Sequence, residues 1–393
     1  MRVLHVHDRL SALGGADWHL ISIIERTPAR VSVEGLFGRT DGSVPPGTAR
    51  NLPVWFIKKL DKKAPFFAEN RVAAQAVALV EDRRPDLIHV HNILHPHILT
   101  ELAGVAPAVI TVQDHRFFCL GPGLVRPDGS PCHEPPGPWC RVCFDKDDYY
   151  GKLMELVQAR LTALEGFRAI VVLSDYMRKA LVSAGIKKEK IHVIPPFVHR
   201  LAIPSNSASS GRTVLFAGRI VQTKGIFDFL DAAIKADIQA PLVMAGAGPP
   251  EGLLRERIRS LGLESRVELT GWVSHENMTS MYEKARVVVM PSLWQEPFGM
   301  VGLEAQTCGR PVVAYDVGGI REWLHDGVSG TLVRPGDTKA LGQAIRAMLE
   351  NPETADQYGQ AGQQIATEIF NPDRLMADLL DVYDRAAVKG QAL

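Results

Sequence analysis

Arg286-Val287-Val288-Val289-Met290-Pro291-Ser292-Leu293-Trp294-Gln295-Glu296-Pro297-Phe298-Gly299-Met300-Val301-Gly302-Leu303-Glu304 carries most of the information in this chain. Its apolar start, ending at Pro291 and Ser292, has the pattern of a buried parallel strand that delivers the chain to a loop. A helix opened by Gly299 and running to about Thr307 follows. Pro311-Val312-Val313-Ala314-Tyr315 then gives another apolar strand, which stops before Val317-Gly318-Gly319-Ile320. The order strand, loop, helix, strand, loop predicts an α/β parallel sheet. In such sheets ligands bind outside the C-terminal ends of the strands.

Glu296 and Glu304 are separated by seven residues within this unit. Glu296 is expected in the loop and Glu304 a turn or so inside the helix. The N–H groups of Gly299, Met300 and Val301 would then face an incoming anion. One carboxylate would grip sugar hydroxyls and the other a ribose, with a diphosphate over the helix end. Two glutamates at this spacing also arise as capping and solvated carboxylates, so the flanking strands carry the argument.

At 393 residues the chain is long enough for about two domains, each with a core of its own. Lys plus Arg and Asp plus Glu each total 44, which leaves no overall field for nucleic acid. Met1-Arg2-Val3-Leu4-His5-Val6 reads as a first strand, too short in its apolar run for a signal peptide, and no stretch approaches the roughly 20 apolar residues of a membrane span. A cytoplasmic protein is expected. Pro204-Ser205-Asn206-Ser207-Ala208-Ser209-Ser210-Gly211 has linker composition. The expected division is 1–197, a linker at 198–211, a second domain at 212–370, and a C-terminal helix at 371–393.

Several short motifs occur in order: Gly14-Gly15-Ala16-Asp17, Pro85-Asp86-Leu87-Ile88-His89-Val90-His91, Phe216-Ala217-Gly218-Arg219-Ile220, Lys224-Gly225, Gly246-Ala247-Gly248-Pro249, Gly271-Trp272-Val273 and Asp326-Gly327-Val328-Ser329-Gly330. With the glutamate pair, this series resembles family 4 of the retaining glycosyltransferases, which includes sucrose, glycogen-type and phosphoinositol mannosyl transferases. The resemblance implies the GT-B fold, two Rossmann-like doubly wound parallel-sheet domains facing across a cleft. It also implies a hexosyltransferase using a UDP- or GDP-sugar without a catalytic metal. The first domain would bind the acceptor and the second the donor, and the last helix would cross back to the first domain.

By that resemblance Gly15, Gly218, Arg219, Lys224, Gly246, Val273, Glu296, Phe298, Gly299, Met300, Val301 and Glu304 would bind the donor, with Arg219, Lys224, Glu296 and Asp114 acting in catalysis. Arginine offers phosphate a planar fork and lysine a movable point charge, and Gly218 and Gly225 let the backbone approach a ligand. Where relatives carry Thr-Val-His-Asp, this chain has Thr111-Val112-Gln113-Asp114-His115. Gln113 can hydrogen-bond a sugar hydroxyl but cannot act as an acid or base. Gln113, His115 and His91 are the candidate acceptor or sugar contacts.

Cys119, Cys132, Cys140 and Cys143 fall within 25 positions, and Cys140 and Cys143 have metal-knuckle spacing. A structural zinc in loop 115–145, a redox disulfide and unlinked thiols are all compatible with this pattern, and His133 is a substitute ligand. His89 and His91 share one face of a strand and read as metal ligands, acceptor contacts or structural residues. Trp55-Phe56-Ile57-Lys58-Lys59-Leu60-Asp61-Lys62-Lys63-Ala64-Pro65-Phe66-Phe67 reads either as a solvated edge or as peripheral membrane contact. In the membrane case the acceptor would be lipid-linked; otherwise it is a polysaccharide or a metabolite. A nucleotide-sugar epimerase and a non-catalytic sugar-binding module are the competing functions.

Overall fold

The computed structural model describes residues 1–48, 52–62, 70–121, 123–198 and 201–388. Its backbone separates into two units, Met1–Phe197 with Pro372–Leu393, and Val198–Asn371.

The first unit contains β1 (Arg2–His7), β2 (Ser32–Phe37), β3 (Val54–Phe56), β4 (Leu87–His91), β5 (Ala108–Val112), β6 (Ala169–Val172) and β7 (Ile191–Val193). Among the described residues they form one sheet in the order β3-β2-β1-β4-β5-β6-β7, with the paired strands parallel. Every residue of β4 and β5 is buried. Near-continuous apolar strands of this kind need helices on both faces. They come from α1 (Gly15–Arg26), α2 (Asn70–Arg83), α3 (Pro96–Val105), α4 (Asp147–Glu165) and α5 (Asp175–Ser183).

The second unit repeats the plan with β8 (Thr213–Ala217), β9 (Leu242–Ala245), β10 (Val267–Gly271), β11 (Ala285–Met290), β12 (Val312–Tyr315) and β13 (Gly330–Val333), ordered β10-β9-β8-β11-β12-β13 and parallel. Its helices are α6 (Ile226–Lys235), α7 (Glu251–Ser260), α8 (His275–Lys284), α9 (Met300–Thr307), α10 (Thr338–Glu350) and α11 (Pro352–Glu368). Strand order reverses between β1 and β4 in one sheet and between β8 and β11 in the other. These reversals are the topological switch points at which open α/β sheets take ligands.

The last helix, α12 (Pro372–Ala387), belongs to the first unit. Pro372 suits its first turn, where no N–H partner is required. Leu375, Leu379, Val382, Tyr383 and Ala386 recur at helical spacing and are buried, so one stripe faces the core.

The stretch expected as a linker is tied along the second unit. Ser209 N–H donates to Asp356 at 2.6 Å, Asn206 Nδ2 to the Glu283 carbonyl at 3.0 Å, and Arg310 Nη2 to Asn206 Oδ1 at 2.6 Å. Small residues allow this close approach: a Cβ on Gly211 would stand 2.2 Å from the Ala285 carbonyl oxygen. Polar composition here reflects hydrogen bonding to buried arginine, not free chain.

No helix among the described residues is long and apolar enough to cross a membrane. In the basic and aromatic stretch, Trp55 lies beneath the Arg83 guanidinium, 4.7 Å from the ring centroid, while Phe56, Lys58 and Lys59 are exposed. Residues 63–67 of that stretch lie outside the described residues.

Candidate active site

The chain leaves β8 through Gly218, whose φ of 140° is open to glycine, and returns to α6 through Gly225 at φ 70°. A Cβ on Gly225 would stand 1.7 Å from the Pro291 carbonyl oxygen. This loop therefore lies directly on the loop that follows β11. Thr223 fastens the two, its carbonyl accepting from Leu293 N at 2.9 Å and Trp294 N at 3.1 Å.

That stitching places Lys224 against Glu296. Lys224 Nζ donates to Glu296 Oε1, and Ser292 Oγ donates to the same oxygen at 2.6 Å. Glu296 is 4% exposed. Burial alone would raise its carboxyl; the Lys224 charge, with hydrogen bonds from Lys224 and Ser292, overcomes this and holds it below the usual range. Arg219, earlier on the loop that carries Lys224, is exposed. The loop after β12 closes the other side: Gly319 N–H donates to the Glu296 carbonyl at 2.8 Å and Gly318 N–H to Gln295 Oε1 at 2.9 Å. Gly246, at φ 155°, passes so close to Gly218 that a Cβ would meet the Gly218 carbonyl oxygen at 1.8 Å.

Helix α9 begins where the sequence places it. Gly299 caps it at φ 95°, and Met300 and Val301, in the first turn, are half-exposed. Phe298 is 1% exposed, packs edge-on against Phe370, and accepts from Trp323 Nε1 at 2.7 Å through its carbonyl. Its side chain is core, so only its backbone is available to a ligand. Glu304 accepts from the Tyr282 hydroxyl at 2.9 Å, and His275 Nδ1 lies 3.9 Å from its other oxygen. Burial raises the Glu304 carboxyl. Val273 lies half-buried in the turn before α8.

Sequence reasoning missed Ser292, Thr223, Gln295, Tyr282 and His275. Ser292, four residues before Glu296, was legible as the strand end; Tyr282 carries no local signal, because it reaches Glu304 from another helix.

In the first unit Gly15 is exposed at the start of α1. Asp17 is turned inward: it is 2% exposed, accepts from Gly14 N–H at 3.0 Å, and pairs with Arg9 at 2.9 Å. At the end of β5, Gln113 hydrogen-bonds His19, while its Nε2 has no partner. Asp114, expected in catalysis, caps the turn that follows and accepts from Arg116 N and Nε, both at 2.8 Å, with its side chain 20% exposed. His91 is 0% exposed, 3.1 Å from His5, and His115 is 1% exposed, 3.2 Å from the Tyr176 hydroxyl. Both side chains are buried. Asp145-Lys146-Asp147 has Asp-x-Asp spacing, but Asp147 is exposed at the start of α4 and bonded to Arg141.

The four clustered cysteines are half-buried free thiols. Among the described residues, the three metal-capable side chains whose donor atoms all lie within 4.8 Å of one another are His5, His89 and His91. No three of the sulfurs meet that spacing.

Two family models match consecutive parts of the chain, Glycosyltransferase Family 4 over residues 13–200 and Glycosyl transferases group 1 over residues 201–365. Alpha-D-kanosaminyltransferase of Streptomyces kanamyceticus is 36% identical over 150 residues, 37% of this chain and 39% of that protein. Alpha-maltose-1-phosphate synthase of Mycobacterium tuberculosis is 28% identical over 319 residues, 72% of this chain and 80% of that one. The structure of Anabaena Alr3699/HepE in complex with UDP matches with TM-score 0.74 at 20% identity, over 98% of this chain and 100% of that one. Sucrose-phosphate synthase from Thermosynechococcus elongatus also gives 0.74 at 20% identity, over 98% and 99%. With two Rossmann-like parallel-sheet units in the GT-B pattern and the two family models running consecutively from residue 13 to 365, the chain belongs to glycosyltransferase family 4.

Proposed function

We propose that this enzyme moves a hexosyl group from a nucleoside diphosphate sugar, UDP or GDP, to an acceptor hydroxyl with retention of anomeric configuration. The observation that carries this reading is the Lys224–Glu296 pair at the switch point of the second sheet, on the loops that follow β8 and β11. A solved neighbour of the same fold is described in complex with UDP-glucose, which supports the donor class.

The diphosphate gains negative charge as it leaves. Arg219, Lys224 and the N–H groups of Met300 and Val301 would oppose that charge without reorganising, the largest kind of catalytic contribution. These protein cations supply the charge that a divalent ion provides elsewhere. Lys224 neutralises Glu296 before the donor arrives; a phosphate oxygen can then share the ammonium, leaving the carboxylate to orient sugar hydroxyls. Glu304, held by Tyr282, would take the ribose hydroxyls, and Val273 the base through its backbone. Gln113 Nε2, an unpaired donor, would meet the transferred sugar or acceptor. The leaving diphosphate itself would accept the proton of a same-face nucleophile.

The test is a panel of nucleotide sugars in EDTA, read by release of nucleoside diphosphate and by anomeric configuration of the product. One donor class should turn over, and Glu296→Gln should lower the rate about a hundredfold. Turnover that requires a divalent ion, or an inverted product, would overturn the proposal.

A further inference from the structure

We infer that the loop 115–145 is a zinc site in which Cys119, Cys132, Cys140 and Cys143 bind one Zn2+ as thiolates. The loop is built as a hairpin followed by a single helical turn. Val125 and Pro131 bridge antiparallel, and Arg126 N–H donates to the Ser130 carbonyl at 2.8 Å. Leu124 ties both hairpin cysteines: its N–H donates to Cys119 Sγ at 3.3 Å, and its carbonyl accepts from Cys132 N–H at 2.8 Å. Backbone N–H to sulfur bonds of this kind orient and stabilise thiolate ligands. The other two cysteines lie on the turn Pro138–Cys143, fixed by Cys140 N–H to the Gly137 carbonyl at 3.0 Å.

Gly121 marks the space between hairpin and turn. A Cβ there would stand 3.6 Å from Cys143 Sγ and 4.0 Å from Cys119 Sγ, so the absence of a side chain keeps the region between these sulfurs open. Cys119, Cys132 and Cys140 also pack against the hydrophobic core of the first unit. His133 is exposed and outside this arrangement.

No three of the sulfurs lie within 4.8 Å of one another, so binding would draw the hairpin and the turn together, and loop order would become part of the metal's binding free energy. The tighter histidine group is a poorer site despite its spacing. His89 and His91 rings lie 3.8 Å apart between centroids at a 39° tilt, and both His89 nitrogens are taken, by Tyr383 at 2.5 Å and Thr111 at 2.7 Å.

The experiment is metal analysis of the full chain produced in zinc-supplemented medium, with Co2+ added to the chelator-stripped protein. About one zinc per chain is expected, along with the charge-transfer and strong d–d absorption of a tetrahedral thiolate site. Cys140→Ser with Cys143→Ser should remove both signals, and His133→Ala should keep them. If the double variant fails to fold, the wild-type cobalt spectrum decides. Metal-free protein with four reagent-accessible thiols and no cobalt spectrum would overturn the inference, as would a disulfide between any two of these cysteines in protein isolated without oxidant.

Discussion

Lys224 Nζ donates to Glu296 Oε1 although the two residues are 72 positions apart, one on the loop after β8 and the other on the loop after β11. The pair exists because Gly225 has no Cβ to strike Pro291 and because Thr223 accepts two N–H groups from the opposing loop. Removing one partner leaves a nearly buried charge alone, which is costlier than removing both. Lys224→Ala should therefore slow transfer about a hundredfold and destabilise the second unit. Lys224→Met with Glu296→Leu should regain stability without regaining activity. Thermal melts and initial rates of the two variants check this, and equal stability in both would contradict it.

Tyr282 supports Glu304 from α8, and its hydroxyl is the lever. Tyr282→Phe removes the 2.9 Å bond but keeps the ring, which is 0% exposed. One lost hydrogen bond of about 1 kcal/mol should raise donor KM roughly fivefold with kcat nearly unchanged. Steady-state kinetics separates the two constants. A fall in kcat at constant KM would place Glu304 in the chemistry instead of in ribose binding.

Trp323 underlies the first turn of α9. A Cβ on Gly302 would stand 1.9 Å from its ring, and its indole also holds the Phe298 carbonyl. Gly302→Ala should therefore cost about 1–3 kcal/mol by overpacking, despite alanine's better helix propensity. Chemical denaturation provides the check; a stabilised variant would mean that the indole can shift.

How much of this was legible beforehand depends on the range of the signal. The run at 286–293, the glycine at 299 and the strand at 311–315 each fix local conformation through neighbours in sequence, so the switch-point strand and helix α9 could be read directly. The serine-rich stretch at 204–211 has the composition of a linker, and only the approach of Arg310, Arg286 and Asp356 shows where its polar groups go. Asp114 likewise has the same letters whether it faces a sugar or caps a turn with Arg116. Tyr282 reaches Glu304 through tertiary packing, which no spacing rule encodes.

The histidine layer of the first unit makes a pH prediction. His5, His89 and His91 lie at 0% exposure on adjacent strands, with His7, Asp8, His19 and Tyr383 around them. Burial lowers His5 to about 3 and His19 to about 4, from 6.5 in each case, and lowers His89 and His91 as well. Unfolded imidazoles take up protons near pH 6.5 that the folded chain refuses, so stability is complete above that pH and falls as pH drops below it. The slope is about 1.4 kcal/mol per pH unit for each imidazole. Urea midpoints measured between pH 7.5 and 5, above most carboxylate titration, should fall steeply, and His5→Asn should flatten the fall. A constant midpoint would show that these histidines accept protons in the fold.

The most direct measurement of the central claim is calorimetric titration of the full chain with UDP, GDP, ADP and dTDP in EDTA. Saturable binding of one nucleotide, weakened at least tenfold by Arg219→Ala and by Glu304→Ala, is predicted. No binding of any nucleotide to folded protein, or binding indifferent to both substitutions, would contradict the assignment of the second unit's switch point as the donor site.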